Sequence, residues 1–321
     1  MQRFDVHAHA VMSGTDAASQ ALMKDEGFAG SVPGAGWSVE GALRFMDEQG
    51  IGLQLLSMPG ALDAEPARRW NEYAAGLVAA HRDRFGLLAA LPMSEPDRAI
   101  AEIRYAIEHL HADGFALATN YGGVYFGNSR FDAMFAELNR HRLPVFVHPA
   151  LPPGFDRFGL GRPGPLIEYP MDTARTIVDA IFAGVLLRYP NLRFVLAHAG
   201  GVLPALQNRI ALLAGESWVA NPLELTSGQL TEQLRSLYLD TAIGGGPADI
   251  VPALEMVGVD HLVFGTDYPP AGAATIAATS ENLRTTLDRA AQQQLSATFA
   301  GLFPNAAARA AAPAAGPTTS Q

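Results

Sequence analysis

The sequence predicts one eight-stranded (β/α)8 (TIM) barrel, on three observations. Eight short apolar runs recur along the 321 residues, each followed by helical spacing. The runs are apolar on both faces, as strands of a parallel sheet covered by helices must be. Eight such units in about 300 residues fit a TIM barrel. A doubly wound open sheet is the alternative, but no glycine-rich phosphate loop follows the first strand.

The first run ends in His7-Ala8-His9. On a strand, alternate side chains share a face, so both imidazoles point one way with Cα atoms about 6.5 Å apart. A polar, glycine-rich stretch over 13–36 follows, too irregular for one element, with a short helix expected over 17–24. Loops of this length in compact domains are commonly functional, for example as lids. Helical spacing begins at Val39 and continues through Leu43, Phe45 and Met46, with Ser38 as N-cap and Gly50 as stop. A buried strand over 51–57 is closed by Met58-Pro59-Gly60.

The alternation then repeats. A helix over 66–84 precedes a strand over 85–91, and a helix over 95–112 precedes an apolar run over 115–118. A helix over 130–142 leads to a strand over 144–147 that ends at His148. A helix over 171–189 leads to a strand over 193–197 that ends at His198. Helices over 202–214 and 231–235 precede a strand over 237–239 that ends at Asp240. A helix over 248–257 precedes a strand over 261–265 that stops just before Asp267. Helices over 280–290 and 296–311 close the chain. The barrel is expected over 1–312, and the Ala-, Pro-, Thr- and Ser-rich tail over 313–321 is expected to be disordered. No internal repeat is visible.

Composition narrows the chemistry. Hydrophobic residues make up 49% of the chain, enough for a large core. The net charge of −10 argues against nucleic acid and against anionic membranes as partners. There is no cysteine, which removes disulfides, thiolate nucleophiles and cysteine-held zinc, so any metal must use histidine and carboxylate. No run is long enough to span a bilayer, and the start lacks the basic and apolar regions of a signal peptide. A cytoplasmic protein is expected.

In a TIM barrel, active sites form where strands end and βα loops begin. His7, His9, His148, His198 and Asp267 fall at that rim, after four separate runs. Three imidazoles and a carboxylate suit Zn²⁺ or a similar divalent ion with an open position. Each residue alone has a plainer reading: a hydrogen-bonded strand-end histidine, or for Asp267 a turn through Asp-Tyr-Pro-Pro. Chance would scatter them over both rims and the helices. Asp240 shares the rim, and a supporting role is expected for it. His81, His109, His111 and His141 fall on helices, and His261 begins a strand at the other rim.

Phe-Asp-Val-His-Ala-His, Val-Phe-Val-His-Pro, Val-Leu-Ala-His-Ala-Gly-Gly and Leu-Val-Phe-Gly-Thr-Asp-Tyr-Pro resemble the amidohydrolase superfamily. They are most similar to its non-hydrolytic branch, which includes aminocarboxymuconate semialdehyde, resorcylate and methylsalicylate decarboxylases. The resemblance runs from about Phe4 to Arg309. It implies that His7, His9, His148 and Asp267 hold one divalent metal, Zn²⁺ first and Mn²⁺ second. It places His198 beside the metal, acting on substrate or water. Binuclear members carry Lys or Glu at the end of the fourth strand, where this chain has Leu117-Ala118-Thr119-Asn120, so a single metal is expected. Asn120 and Tyr121 either line the pocket or form a turn with Gly122-Gly123.

The resemblance also implies that Arg209 reaches the active site of a neighbouring subunit in a homodimer, where its guanidinium grips a carboxylate. The plainer reading is an ordinary helix-surface arginine. A second substrate arginine of the branch aligns near Ala42, and Arg44 is off that register. A monocarboxylic aromatic acid is therefore favoured over a dicarboxylate. The segment over 152–170 can close over the pocket and build dimer contacts. Trp37, Phe155, Phe158 and Tyr268 are candidates to stack on a ring, or they simply pack loops. The expected reaction is non-oxidative decarboxylation of a hydroxylated aromatic or similar cyclic acid, with Asp267 or His198 delivering a proton to the ring. Hydrolysis of an amide, lactone or ester by the same ligand set is the alternative. A metal-binding protein without catalysis is a third.

Overall fold

The computed structural model describes residues 3–12, 36–58 and 60–312. The long loop expected over 13–36, except Gly36, its short helix and the tail over 313–321 lie outside the described residues. Seven strands form one parallel sheet in chain order. They are β1 (Arg3–His9), β2 (Ile51–Ser57), β3 (Phe85–Ala90), β4 (Gly114–Ala118), β5 (Pro144–His148), β6 (Arg193–Leu196) and β7 (Tyr238–Leu239). Between them run α1 (Val39–Gln49), α2 (Ala64–Ala80), α3 (Pro96–Glu108), α4 (Asp132–His141), α5 (Gly164–Phe182), α6 (Leu203–Leu213) and α7 (Ser227–Arg235). After β7 come α8 (Pro247–Val257), α9 (Ala273–Thr286), α10 (Arg289–Leu302) and α11 (Pro304–Ala311).

The expected eighth strand is not a regular ladder, yet residues 262–268 still join β7 to β1 and close the barrel. Val263 N donates to Leu239 O at 2.9 Å, and Val6 N donates to Phe264 O at 3.0 Å. Further up, Asp267 N donates to His7 O at 2.8 Å and His9 N to Tyr268 O at 2.7 Å. The ladder breaks because two amides turn to side chains instead: Gly265 N to Thr241 Oγ1 at 3.3 Å and Thr266 N to Asp5 Oδ1 at 3.0 Å.

Two apolar cores follow from strands that are buried on both faces. The outer core lies between sheet and helices, with Leu56, Leu87, Phe115, Val147, Phe194 and Leu262 on the strand side. The inner core is smaller: Val6, Leu53, Leu55, Phe146, Val195 and Val263 pack with Phe299, Leu302 and Phe303. The last three come from α10 and the turn into α11, so these helices plug the barrel opposite the strand ends. Phe299 stacks on Phe4 with ring centroids 4.8 Å apart.

Helix boundaries differ from expectation at three prolines or caps. α5 begins at Gly164, not at 171, and carries Pro170 inside it. The carbonyl of Pro170 accepts Val202 N at 3.3 Å, so tertiary contact holds the helix through the proline. Asp288 caps α10 by accepting Ala291 N at 2.8 Å, which splits the expected helix over 280–290. Pro304 starts α11, because proline suits a helix's first turn and not its interior. No helix among the described residues is long and apolar enough to cross a membrane.

The plug makes a stability prediction. Phe299→Ala should lower the unfolding free energy by about 3–5 kcal/mol, the usual cost of emptying a buried aromatic site. Urea denaturation checks it, and a loss below about 1 kcal/mol would contradict the role given to Phe299.

Candidate metal centre

β1 carries one residue more than β2 between Asp5 and Ala8: Asp5 pairs with Gln54, but Ala8 pairs with Leu56. Such a bulge reverses which side chains face inward. Below it, Phe4 and Val6 face the inner core. Above it, the His7 ring lies over Phe146 at 4.9 Å, and His9 meets Ser57, the last residue of β2, at 3.1 Å. Asp5, fully buried on the outer side, pins the bulge. It accepts His7 N at 3.0 Å, Gln54 Nε2 at 2.8 Å, Thr266 N at 3.0 Å and Thr266 Oγ1 at 2.6 Å. Burial pushes its pKa up to about 6 against those bonds.

Three imidazoles are fixed by what their Nδ1 atoms touch. His7 Nδ1 lies 2.7 Å from Asp240 Oδ2. His148 Nδ1 lies 2.9 Å from the carbonyl of Pro149. His9 Nδ1 faces Ser57 Oγ at 3.1 Å, and that hydroxyl donates to Ala8 O at 3.2 Å. Each Nδ1 faces an acceptor and so keeps its proton, which turns the Nε2 lone pair toward the centre. There Asp267 Oδ1 stands 3.1 Å from both His7 Nε2 and His9 Nε2. His7 Nε2 is buried and makes no hydrogen bond.

Asp267 Oδ2 lies 3.4 Å from His198 Nε2. Ligand atoms of His7, His148, His198 and Asp267 all fall within 4.8 Å of one another. Imidazole nitrogens and a carboxylate that converge in a buried space need positive charge among them, from a proton or from a bound cation. The donor set therefore fits a divalent metal ion.

Two backbone features hold this geometry. His198, Ala199 and Asp267 have φ of 55°, 54° and 61°, a conformation that costs non-glycine residues energy and persists where the surroundings enforce it. Asp240 supplies much of that enforcement. Its Oδ1 accepts His198 N at 2.8 Å and Ala242 N at 2.9 Å while its Oδ2 orients His7. Gly265 lies against Asp240, where a Cβ would come within 3.1 Å of its carboxylate.

The charges select a cation at the centre. Burial opposes charge on His7, but Asp267 and Asp240 override it and hold its pKa up to about 10. Burial lowers His9, and burial together with the imidazoles of His9 and His7 takes His148 well below the usual histidine range. Burial works against the Asp267 carboxylate too, yet His7, His198 and His9 hold its pKa well below the usual range.

The sequence profile of the Amidohydrolase family matches residues 4–301. The chain belongs to this family. Among its relatives is the decarboxylase yanB of Aspergillus niger, 34% identical over 86% of this chain and 79% of that protein. The 6-methylsalicylic acid decarboxylase of Penicillium expansum is 35% identical over 64% of each chain. A solved dihydroxybenzoic acid decarboxylase from a Polaromonas species, with bound manganese and 2-nitroresorcinol, superposes with a TM-score of 0.80. That match covers 94% of this chain and 97% of the other at 23% identity.

The remaining expected site residues separate. Asn120 is committed to its loop: Nδ2 donates to Leu151 O at 3.0 Å and to Asp172 Oδ2 at 2.9 Å, and Oδ1 accepts Gly123 N at 3.1 Å. The buried Tyr121 hydroxyl accepts Ala118 N at 3.1 Å. Both side chains thus shape the turn. Trp37 packs half-buried against the outer core just before α1. Arg209 is exposed on α6. Tyr268 stacks on Phe45 at 4.1 Å. Ser57 also reaches the site from a strand end, but a lone serine after an apolar run carries no metal-ligand signal in the sequence.

Asp240→Asn keeps an oxygen for the two backbone amides but presents NH₂ to His7 Nδ1, which moves the His7 proton to Nε2. Divalent-metal affinity should fall about 10–100-fold with the fold retained. Chelator competition beside circular dichroism measures both, and wild-type affinity would refute the orienting role of Asp240.

Proposed function

We propose that this chain is a metal-dependent, non-oxidative decarboxylase of a hydroxylated aromatic acid. The observation that carries the reading is the convergence of His7 Nε2 and His9 Nε2 on Asp267 Oδ1, with ligand atoms of His148 and His198 within 4.8 Å of those of His7 and Asp267. Decarboxylases align over most of the chain, one of them a gamma-resorcylate decarboxylase, which supports the reaction class. His7, His9, His148 and Asp267 are the proposed ligands of one divalent ion, Zn²⁺ first and Mn²⁺ as the alternative. Nitrogen and carboxylate donors suit both.

With the ion bound, the site holds a Lewis acid for a substrate's carboxylate and neighbouring hydroxyl. The chain's residues supply the rest. His198 Nε2 and Asp267 Oδ2 lie 3.4 Å apart and share the task of holding a proton. They deliver it to the ring carbon that bears the carboxylate. The bond from that carbon to the carboxylate then breaks, its electron pair returns to the ring, and CO₂ leaves. The site is largely closed to water: Asp267, His9 and His198 side chains are 9%, 10% and 13% exposed. A ring is proposed to enter beside His198, with Trp37 at the rim.

A homodimer belongs to this proposal. Leu160, Leu166, Ile167 and Met171, around the start of α5, are 86%, 63%, 50% and 42% exposed, an apolar strip that association would cover. Exposed on α6, with no ion pair or hydrogen bond engaging it among the described residues, Arg209 is proposed to reach a partner's substrate carboxylate.

A CO₂-release screen against ortho-hydroxybenzoates tests the reading. The metal-loaded protein should release CO₂ without incorporating water, and His198→Ala or Asp267→Asn should lower kcat by about 10²–10⁴-fold. Ring opening or bond hydrolysis as the sole activity would transfer the site to the hydrolases. Light scattering should give a dimer, and a monomer would remove Arg209 from the substrate site.

A further inference from the structure

The ends of β4 and β5 are tied together through a buried carboxylate that touches none of the metal-site atoms. Asp172, fully buried on α5, accepts from Thr119 Oγ1, from Asn120 Nδ2 at 2.9 Å, from Tyr125 OH at 2.7 Å and from Arg175 Nη1 at 2.6 Å. A buried carboxylate held by four donors, one of them a guanidinium, is a rigid anchor, because the remaining bonds fix its place when one is lost.

Thr119 and Asn120 pass that rigidity to the segment carrying His148. Thr119 N donates to His148 O at 3.0 Å. Thr119 Oγ1 accepts Ala150 N at 2.9 Å, and Asn120 Nδ2 donates to Leu151 O at 3.0 Å. Residues 148–151 thus hang from 119–120 by three bonds. The His148 ring takes its direction from the Pro149 carbonyl in the middle of that segment, 2.9 Å from Nδ1. A shift of the segment rotates the Nε2 lone pair off the centre. The Thr119 hydroxyl is engaged on both sides by these bonds, and the end of β4 carries no Lys or Glu that could bridge a second ion.

We propose that Thr119 and Asp172 are positioning residues for His148 and set how tightly the centre holds its cation. This rests on reading the cluster as a site for one metal ion. A protein stripped by chelator and reloaded with Zn²⁺ tests both levels separately. Wild type should take one ion per chain, and none or two would fail the underlying reading and the proposal with it.

Given one ion, Thr119→Val should bind Zn²⁺ about 10–100-fold more weakly by chelator competition. Thr119→Ser should restore wild-type affinity, because the hydroxyl returns. The visible spectrum of Co²⁺-loaded Thr119→Val should differ from wild type, reporting an altered ligand field that lower stability alone does not produce. Tyr125→Phe removes a donor from the same carboxylate without touching 148–151, and should bind as wild type does. Wild-type affinity in Thr119→Val, or an equal loss in Tyr125→Phe, would overturn the proposal.

Discussion

The structure depends on one electrostatic constraint: the Asp267 carboxylate is buried at the mouth of the barrel and faces Nε2 of three histidines, at 3.1 Å, 3.1 Å and 3.4 Å. An uncompensated buried carboxylate costs several kcal/mol after relaxation. Two of those rings, His7 and His9, and with them His148, keep their Nδ1 protons on outer acceptors and so cannot compensate it while neutral. Positive charge comes either from a proton on His7, whose pKa Asp267 and Asp240 hold up to about 10, or from a divalent ion that takes that proton's place.

Three further buried carboxylates keep that arrangement in place, each tying two strand ends. Asp5 joins the β1 bulge to Thr266 next to Asp267. Asp240 joins the end of β7 to the His7 ring and to the backbone of His198. Asp172 joins the end of β4 to the segment after β5. Their oxygens are occupied by backbone and side-chain amides, hydroxyls, one imidazole and, at Asp172, the Arg175 guanidinium, which lets the carboxylates sit in the interior. The apolar plug from α10 and α11 fills the opposite end, so the polar chemistry is confined to the strand-end rim.

Much of this was legible in the sequence, because the barrel writes its site at strand ends. His7, His9, His148, His198 and Asp267 follow apolar runs, and the structure brings all five together. The strand count was also readable, although 262–268 closes the barrel with hydrogen bonds shared between backbone and side chains. What could not be read were contacts across the chain. The bulge in β1 depends on pairing with β2, so simple alternation placed His7 and His9 correctly without revealing why Val6 also faces inward. The sequence leaves Asn120 open between pocket and turn because Asp172, its partner, is 52 positions away. The start of α5 was missed because Pro170 reads locally as a boundary, and only its contact with Val202 shows otherwise.

Anomalous X-ray diffraction at the metal absorption edge tests the central claim most directly, on crystals of the protein grown with Zn²⁺. The account predicts one peak per chain at the point where His7 Nε2, His9 Nε2, His148 Nε2 and a carboxylate oxygen of Asp267 converge, about 2.0–2.2 Å from each. No peak there, or two peaks bridged across the end of β4, would contradict it.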